Sequence, residues 1–140
     1  MKYLSILAGL SFLAFASNTT AKSSVETWQP LSKTALSITG TIKLSPTALV
    51  TAGQTFPLRV AADVQSYNSD LGVFPARILT VTRPMNPMLA NKNTLCSQPV
   101  RWVVVYRTGK DQLGMAVYQD GPQPRGVDSP GLCGTFNYVR

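Results

Sequence analysis

The stretch from Asn91 to Tyr138 most constrains what this chain can fold into, because it holds both cysteines, Cys96 and Cys133. Between the cysteines lie two strand-like segments, Val100 to Arg107 and Leu113 to Tyr118, joined by turn-forming residues. This pattern predicts a β-hairpin clamped by a disulfide. A structural role is favoured over a redox or metal-binding one, since the chain offers no third cysteine and no histidine.

The N-terminus has the order of a secretory signal peptide: Lys2, then an apolar run to Ala16, then small residues ending at Ala21. We expect residues 1–21 to be the signal peptide, cleaved after Ala21 with Ala16 as the rival site, and residues 22–140 to form a single all-β domain. Neither possible cleavage site is followed by a cysteine, so we expect no lipid anchor. No later apolar segment is long enough to predict a transmembrane anchor. A periplasmic or secreted location follows, and it favours disulfide formation.

Strand patterns recur along the mature chain. Leu36 to Leu44 alternates apolar and polar residues, with Gly40 predicted at a bulge or close crossing. Pro57 predicts an edge position or a bulge in the strand that contains it, and Ser66 to Gly72 predicts a turn. Further strands are predicted at Thr47 to Thr51, Gln54 to Ala62, Val73 to Thr82 and Cys133 to Val139.

The segment from Val100 to Arg107 is apolar on both of its faces, which is typical of a central strand covered on both sides. Phe136 and Tyr138 are expected to return their rings to the core beside Trp102. The fold class predicted is all-β, a small antiparallel barrel or sandwich of six to eight strands with one disulfide.

Composition limits the chemistry. The absence of histidine removes the commonest general base and metal ligand, and four of the five aspartates that follow the leader lie in turn contexts. We therefore expect no enzymatic activity, no cofactor and no metal. The net charge of +7, or +6 once Lys2 is removed, gives a general affinity for anions or simply solubility. Nucleic acid is disfavoured, because Arg101 and Arg107 lie at opposite ends of one strand and export removes the usual ligand.

Two loops are candidate binding surfaces: Arg83 to Leu89, where two prolines favour exposure of the methionines, and Pro122 to Gly131. The alternative for the first loop is that it folds back and plugs one end of the barrel. The basic residues Arg77, Arg83, Arg101, Arg107 and Arg125 would give an anion preference. The candidate binding residues are Arg83, Met85, Met88, Arg101, Arg107 and Arg125.

Together these features predict an exported, non-enzymatic interaction domain whose partner is a protein or an anionic envelope component. Its size, leader, single disulfide and all-β pattern resemble those of small bacterial exported inhibitors of metalloproteases or lysozymes, which implies inhibition of a secreted or cell-wall hydrolase. The alternative is a barrel that carries a small apolar or anionic ligand, lined by residues such as Val104, Tyr106 and Met115. A carrier needs an interior cavity, whereas an interaction domain has a filled core and an exposed apolar loop.

Overall fold

A computed structural model describes residues 24–89 and 93–140. Eight strands form a closed antiparallel barrel in which each strand pairs with the next along the chain and the last returns to the first. One π-helical turn, Ala35–Thr39, lies between the first two strands. The strands are β1 (Glu26–Pro30), β2 (Ile42–Ser45), β3 (Ala48–Thr51), β4 (Gln54–Ser69), β5 (Gly72–Met85), β6 (Val100–Gly109), β7 (Gln112–Gln119) and β8 (Leu132–Val139).

The predicted signal peptide, residues 1–21, lies outside the described residues. Within residues 24–89 and 93–140, no helix is long and apolar enough to cross a membrane.

The barrel interior is filled from every strand. Side chains alternate between the two faces of a strand, so residues opposite one another in register point to the same side. Leu79, Val103 and Val117 form one such row across β5, β6 and β7. The inner core, which collects these rows, includes Trp28, Ile42, Leu44, Leu49, Phe56, Leu58, Leu79, Val81, Val103, Leu113, Met115, Val117, Phe136 and Tyr138.

The β4–β5 hairpin is longer than the barrel needs, and its distal part wraps over the outer surface of the sheet. We call residues 64–76 the hairpin arm. Register shifts at Val60/Ala62 and Val64/Tyr67 bend β4, as β-bulges do. At the tip, Asp70 accepts hydrogen bonds from Tyr106 on β6 and Thr135 on β8, each at 3.4 Å. The arm therefore crosses the outer face from β5 to β8.

Beneath the arm lies a second core on the outer face of β5, β6 and β7. The backbone of Asn68 pairs with the loop that follows β7, accepting from the Val127 amide at 2.8 Å and donating to the Arg125 carbonyl at 3.3 Å. The arm and this loop thus cover the same face. The buried members of the second core are Tyr67, Ala76, Ile78, Val104, Tyr106, Ala116 and Tyr118.

The structure confirms the all-β prediction and selects the eight-stranded barrel. Cys96 and Cys133 form the predicted disulfide, with their Cα atoms 5.3 Å apart. The predicted hairpin is β6 and β7, and its turn is only Lys110 and Asp111. As predicted, β6 is buried on both faces, since its alternate residues enter the inner and second cores.

The prediction of one strand from Leu36 to Leu44 was wrong in its first half. That half is the π-helical turn, closed by a 2.7 Å hydrogen bond from the Gly40 amide to the Ala35 carbonyl. Gly40 ends the turn with φ of +63°, a conformation that favours glycine, and no bulge is involved. The strand β2 begins only at Ile42.

Three further expectations need correction. The turn predicted from Ser66 to Gly72 is mostly strand, because the hairpin arm continues to pair as far as Ser69. Phe136 and Tyr138 belong to the inner core, whereas Trp102 packs against the second core on the other side of the sheet. Pro57 marks neither an edge nor a bulge.

Pro57 is instead the last residue of β4 paired with β3, opposite Ala48. Pairing of β4 with β5 begins one residue later, where Leu58 lies opposite Val81. A residue without an amide hydrogen is tolerated at this point because it lies outside the β4–β5 ladder.

Candidate functional site

A cavity of about 540 Å³ opens at one end of the barrel. Neighbouring strands are antiparallel, so the first residues of some strands lie beside the last residues of others at this end of the barrel. The cavity is lined by the first residues of β1, β5 and β7, the last residues of β2 and β6, and the middle of the long β4. The volume falls within the range of about 300–1,000 Å³ that is typical of small-molecule sites. The strand ends thus form a pocket of suitable size for a ligand.

The bottom of the cavity is apolar. Leu44, Leu79 and Leu113, which we call the apolar floor, line the cavity and also belong to the inner core. Val105 lies beside them and is only partly buried, so its side chain borders the open space. A molecule that entered the cavity would therefore rest directly on the hydrophobic interior of the barrel.

One side of the cavity rim is an ion pair across two neighbouring strands. Asp63 on β4 lies opposite Arg77 on β5. Arg77 donates from Nε to Oδ1 at 2.8 Å and from Nη2 to Oδ2 at 3.1 Å, a bidentate arrangement. The hydrogen bonds from Arg77 hold the pKa of Asp63 below its usual value, and Asp63 raises the pKa of Arg77 in return. This carboxylate is therefore poorly suited to accept a proton at neutral pH.

The other side of the rim is a charged cluster above a tryptophan. Glu26 Oε1 accepts from Arg107 Nη2 at 2.7 Å and from Arg140 Nη1 at 3.1 Å. Both guanidinium groups lie over the Trp28 ring, 5.2 and 4.9 Å from its centroid, at distances typical of cation–π contacts. These contacts hold Arg107 in place at the mouth of the cavity, since its side chain is tied both to a carboxylate and to a ring.

The acidic groups of the cavity are held in ion pairs. The carboxylates of Glu26 and Asp63 are both engaged by arginines. Within the described ranges, no group of three or more histidine, cysteine, aspartate or glutamate side chains is arranged to hold a metal ion. An apolar floor below a charged rim suits a molecule with an apolar body and one polar end.

Of the six candidate binding residues, only Arg107 lines this cavity. Arg83, Met85 and Arg101 lie at the opposite end of the barrel, where Met85 pairs with Val100. Met85 agrees with the alternative in which the loop folds back, since it is half-buried and packs against the inner core, while Met88 is 61% exposed. The loop prolines therefore expose one methionine and not both.

The remaining candidates are also dispersed. Arg101 has its guanidinium 5.9 Å from the Trp102 ring centroid. Arg125 is exposed on the loop that pairs with the hairpin arm. Of the residues expected to line a carrier cavity, Tyr106 does so, whereas Val104 is buried in the second core and Met115 in the inner core.

Most residues of the cavity, including Glu26, Asp63 and the apolar floor, were not predicted from the sequence. One signal was available for the ion pair. Asp63 and Arg77 lie at nearly equal distances on either side of the true turn at Asp70 and Leu71. Placing that turn correctly would have predicted two opposite charges facing one another across the hairpin.

Comparisons with protein-family models, with curated proteins and with solved structures find no match to this chain. Its function is therefore inferred from the chemistry of its cavity and surfaces.

Proposed function

We propose that this protein is a non-catalytic, exported binding protein that holds a small, largely apolar molecule in the open end of its barrel. The observation that carries this proposal is the 540 Å³ cavity above the apolar floor. Closed β-barrels commonly hold ligands at their mouths, because side chains of several strands converge there. The charged rim would orient the ligand, with its polar end toward solvent.

The cavity favours a carrier over an interaction domain. The core of the barrel is filled, but a cavity opens above it at the mouth, as a carrier needs. In the loop, Met85 packs against the inner core and Met88 is exposed, so the loop offers a partner one methionine rather than two.

A neutral apolar dye tests the proposal without assuming the natural ligand. We expect N-phenyl-1-naphthylamine to bind the oxidised protein saturably and with one-to-one stoichiometry, with enhanced fluorescence. Val105→Trp should abolish this binding, since Val105 borders the cavity and an indole would fill it. The matched control is Val73→Trp, because Val73 is 61% exposed and lies outside the cavity.

Two outcomes of this experiment would reject the carrier. Dye binding that survives in Val105→Trp, with the variant folded by circular dichroism, would place the dye elsewhere. Failure of the dye to saturate in the wild-type protein would also reject the proposal.

A second candidate function is interaction with a protein partner through the loop around Met88, as in an inhibitor of a secreted hydrolase. One observation favours it: the base of the loop is fastened. The Asn86 side chain bonds both the amide and the carbonyl of Cys96, and Met88 forms an antiparallel bridge with Thr94. Exposed Met88 is thus presented on a backbone that is held in place, which reduces the entropy lost on binding.

A pull-down from periplasmic and outer-envelope extract tests this second candidate. Capture of one protein at low salt that persists at moderate salt would support it, provided that Met88→Ser loses the capture. Leu36→Ser is the matched control, since Leu36 is 62% exposed on the separate π-helical turn. Equal capture by both variants would rule out the Met88 loop as the interface.

A further inference from the structure

We infer that the ligand of the cavity is an amphiphile whose polar end is a carboxylate, received by Arg77 and Arg107 at the rim. This inference rests on the proposed carrier function and adds the chemical class of the ligand to it.

The rim has hydrogen-bond donors that no group of the described residues uses. A guanidinium carries five N–H donors. Arg77 directs Nε and Nη2 to Asp63, and Arg107 directs only Nη2 to Glu26. Among the described residues, Nη1 of both arginines and Nε of Arg107 donate to no protein acceptor. Donors therefore remain at the mouth on two different strands.

The acceptor sites left at the same rim are fewer than the donors. The carboxylates of Asp63 and Glu26 together offer about eight lone-pair sites. Two hydrogen bonds to Asp63 and two to Oε1 of Glu26 occupy four of them, whereas Arg77 and Arg107 use only three of their ten N–H donors on these acids. A ligand that brings acceptors is consequently satisfied better than one that brings donors. A planar carboxylate matches the fork of a guanidinium most closely.

The charged residues of the cavity lining also indicate how much negative charge a ligand can carry. The cavity lining carries two arginines, Arg77 and Arg107, and two carboxylates, Glu26 and Asp63. The excess of cations over acids in the whole chain favours an anion. Arg140, which also bonds Glu26, is balanced in turn by Asp111, whose Oδ1 lies 3.8 Å from Arg140 Nε. Because the charges of the rim are balanced in this way, it suits a single negative charge better than the double charge of a phosphate monoester.

The positions of the two arginines also fit a ligand whose carboxylate faces solvent while its hydrocarbon chain points into the barrel. The side chains of Arg77 and Arg107 are 43% and 47% exposed, so a carboxylate between them stays partly hydrated. The apolar floor lies deeper and is almost fully buried, with Leu79 only 1% exposed. A hydrocarbon chain would contact the floor while its carboxylate remains at the rim.

Displacement of the neutral dye by three ligands of equal chain length tests the inference. We expect octanoate to displace it at a concentration about tenfold lower than octanol, as charge-assisted hydrogen bonds at a half-exposed site allow. Octylammonium should be weaker than octanol, since it brings donors to a rim that already has donors in excess.

Two rim variants identify the groups responsible. Arg107→Gln and Arg77→Gln should each reduce the preference for octanoate over octanol severalfold. Arg59→Gln is the control, because it removes the same charge from an exposed position on β4 outside the cavity. A preference that survives both rim variants would overturn the assignment of the head-group site.

The outcomes separate this inference from the proposed function. Equal displacement by octanoate and octanol, or a preference for octylammonium, would overturn the carboxylate assignment while the carrier stands. Absence of saturable dye binding to the wild-type protein would overturn the carrier itself.

Discussion

The hydroxyl of Tyr67, near the tip of the hairpin arm, hydrogen-bonds the hydroxyl of Tyr118 on β7, 51 residues further along the chain. Tyr118 in turn donates to the Gly126 carbonyl at 2.7 Å. The arm, the barrel wall and the loop after β7 are thus joined at one point. Since Asp63 and Val64 at the base of the arm line the cavity, this junction also holds one wall of the candidate site.

The order of donors in this junction predicts unequal effects of two conservative variants. Tyr118→Phe should lower the free energy of unfolding by about 2 kcal/mol, because it leaves both the Tyr67 hydroxyl and the Gly126 carbonyl without their partner. Tyr67→Phe should cost only about 1 kcal/mol, because Tyr118 keeps its bond to Gly126. Urea denaturation of both variants measures the difference. An equal or larger loss in Tyr67→Phe would contradict this donor order.

Gly114 on β7 is required beneath the ring of Tyr106. A Cβ at this position would overlap the ring, which is confined by Tyr67 and Phe74 at centroid distances of 5.3 and 5.9 Å. We expect Gly114→Ala to lower the free energy of unfolding by about 2 kcal/mol or more, as overpacking of a dense core does.

Gly109→Ala is the matched control for this change. A Cβ there would meet only the flexible side chain of Gln112, at 3.5 Å, so stability should stay within about 0.5 kcal/mol of wild type. Equal stability of the two alanine variants in urea denaturation would show that Tyr106 can move aside.

The disulfide should account for a large share of the stability. It closes a loop between residues 37 positions apart, so the chain-entropy model gives about 4 kcal/mol. We expect the Cys96→Ala/Cys133→Ala double variant to show this loss in urea denaturation. Below its unfolding transition it should still bind the dye, because Cys133 lies at the start of β8, the opposite end of the barrel from the cavity. Loss of dye binding in the folded variant would contradict that separation.

Stability should fall at alkaline pH. Burial raises the pKa of Tyr67, Tyr106, Tyr118 and Tyr138, four of the five tyrosines in the chain. Above about pH 10 these tyrosines ionise in the unfolded chain but stay protonated in the barrel, so the folded state binds more protons. The free energy of unfolding then decreases as pH rises, by up to about 1.4 kcal/mol per pH unit for each tyrosine.

Urea denaturation at pH 8, 10 and 11 measures this slope. Tyr67→Phe should reduce it by the share of one tyrosine, since one ionising group is removed. A free energy of unfolding that is constant from pH 8 to 11 would be incompatible with tyrosines that stay protonated in the folded state.

Local patterns in the sequence predicted those parts of the fold in which neighbouring residues decide the structure. The β6–β7 hairpin follows from its alternation and turn residues, and the pairing of Cys96 with Cys133 follows from there being only two cysteines. The π-helical turn could not be predicted this way. Its conformation depends on distant contacts, such as the 2.7 Å hydrogen bond between Thr39 and Tyr138.

The hairpin arm and the cavity were missed for a related reason. Ser66 to Gly72 is rich in turn formers, yet Tyr67 within it is fully buried because the arm folds back onto β6 and β7. The cavity depends on which strand ends meet at one end of a closed barrel. Glu26 and Arg107 are 81 residues apart, and only closure of the barrel brings them together.

A titration of the isotope-labelled, oxidised protein with octanoate, followed by amide NMR shifts, tests most directly whether the barrel mouth is a ligand site. We predict saturable shifts at cavity-lining residues such as Leu44, Val64, Leu79, Val105 and Leu113, with Met88 and Leu95 unaffected. Shifts that never saturate, or that centre on the Met88 loop, would contradict the claim.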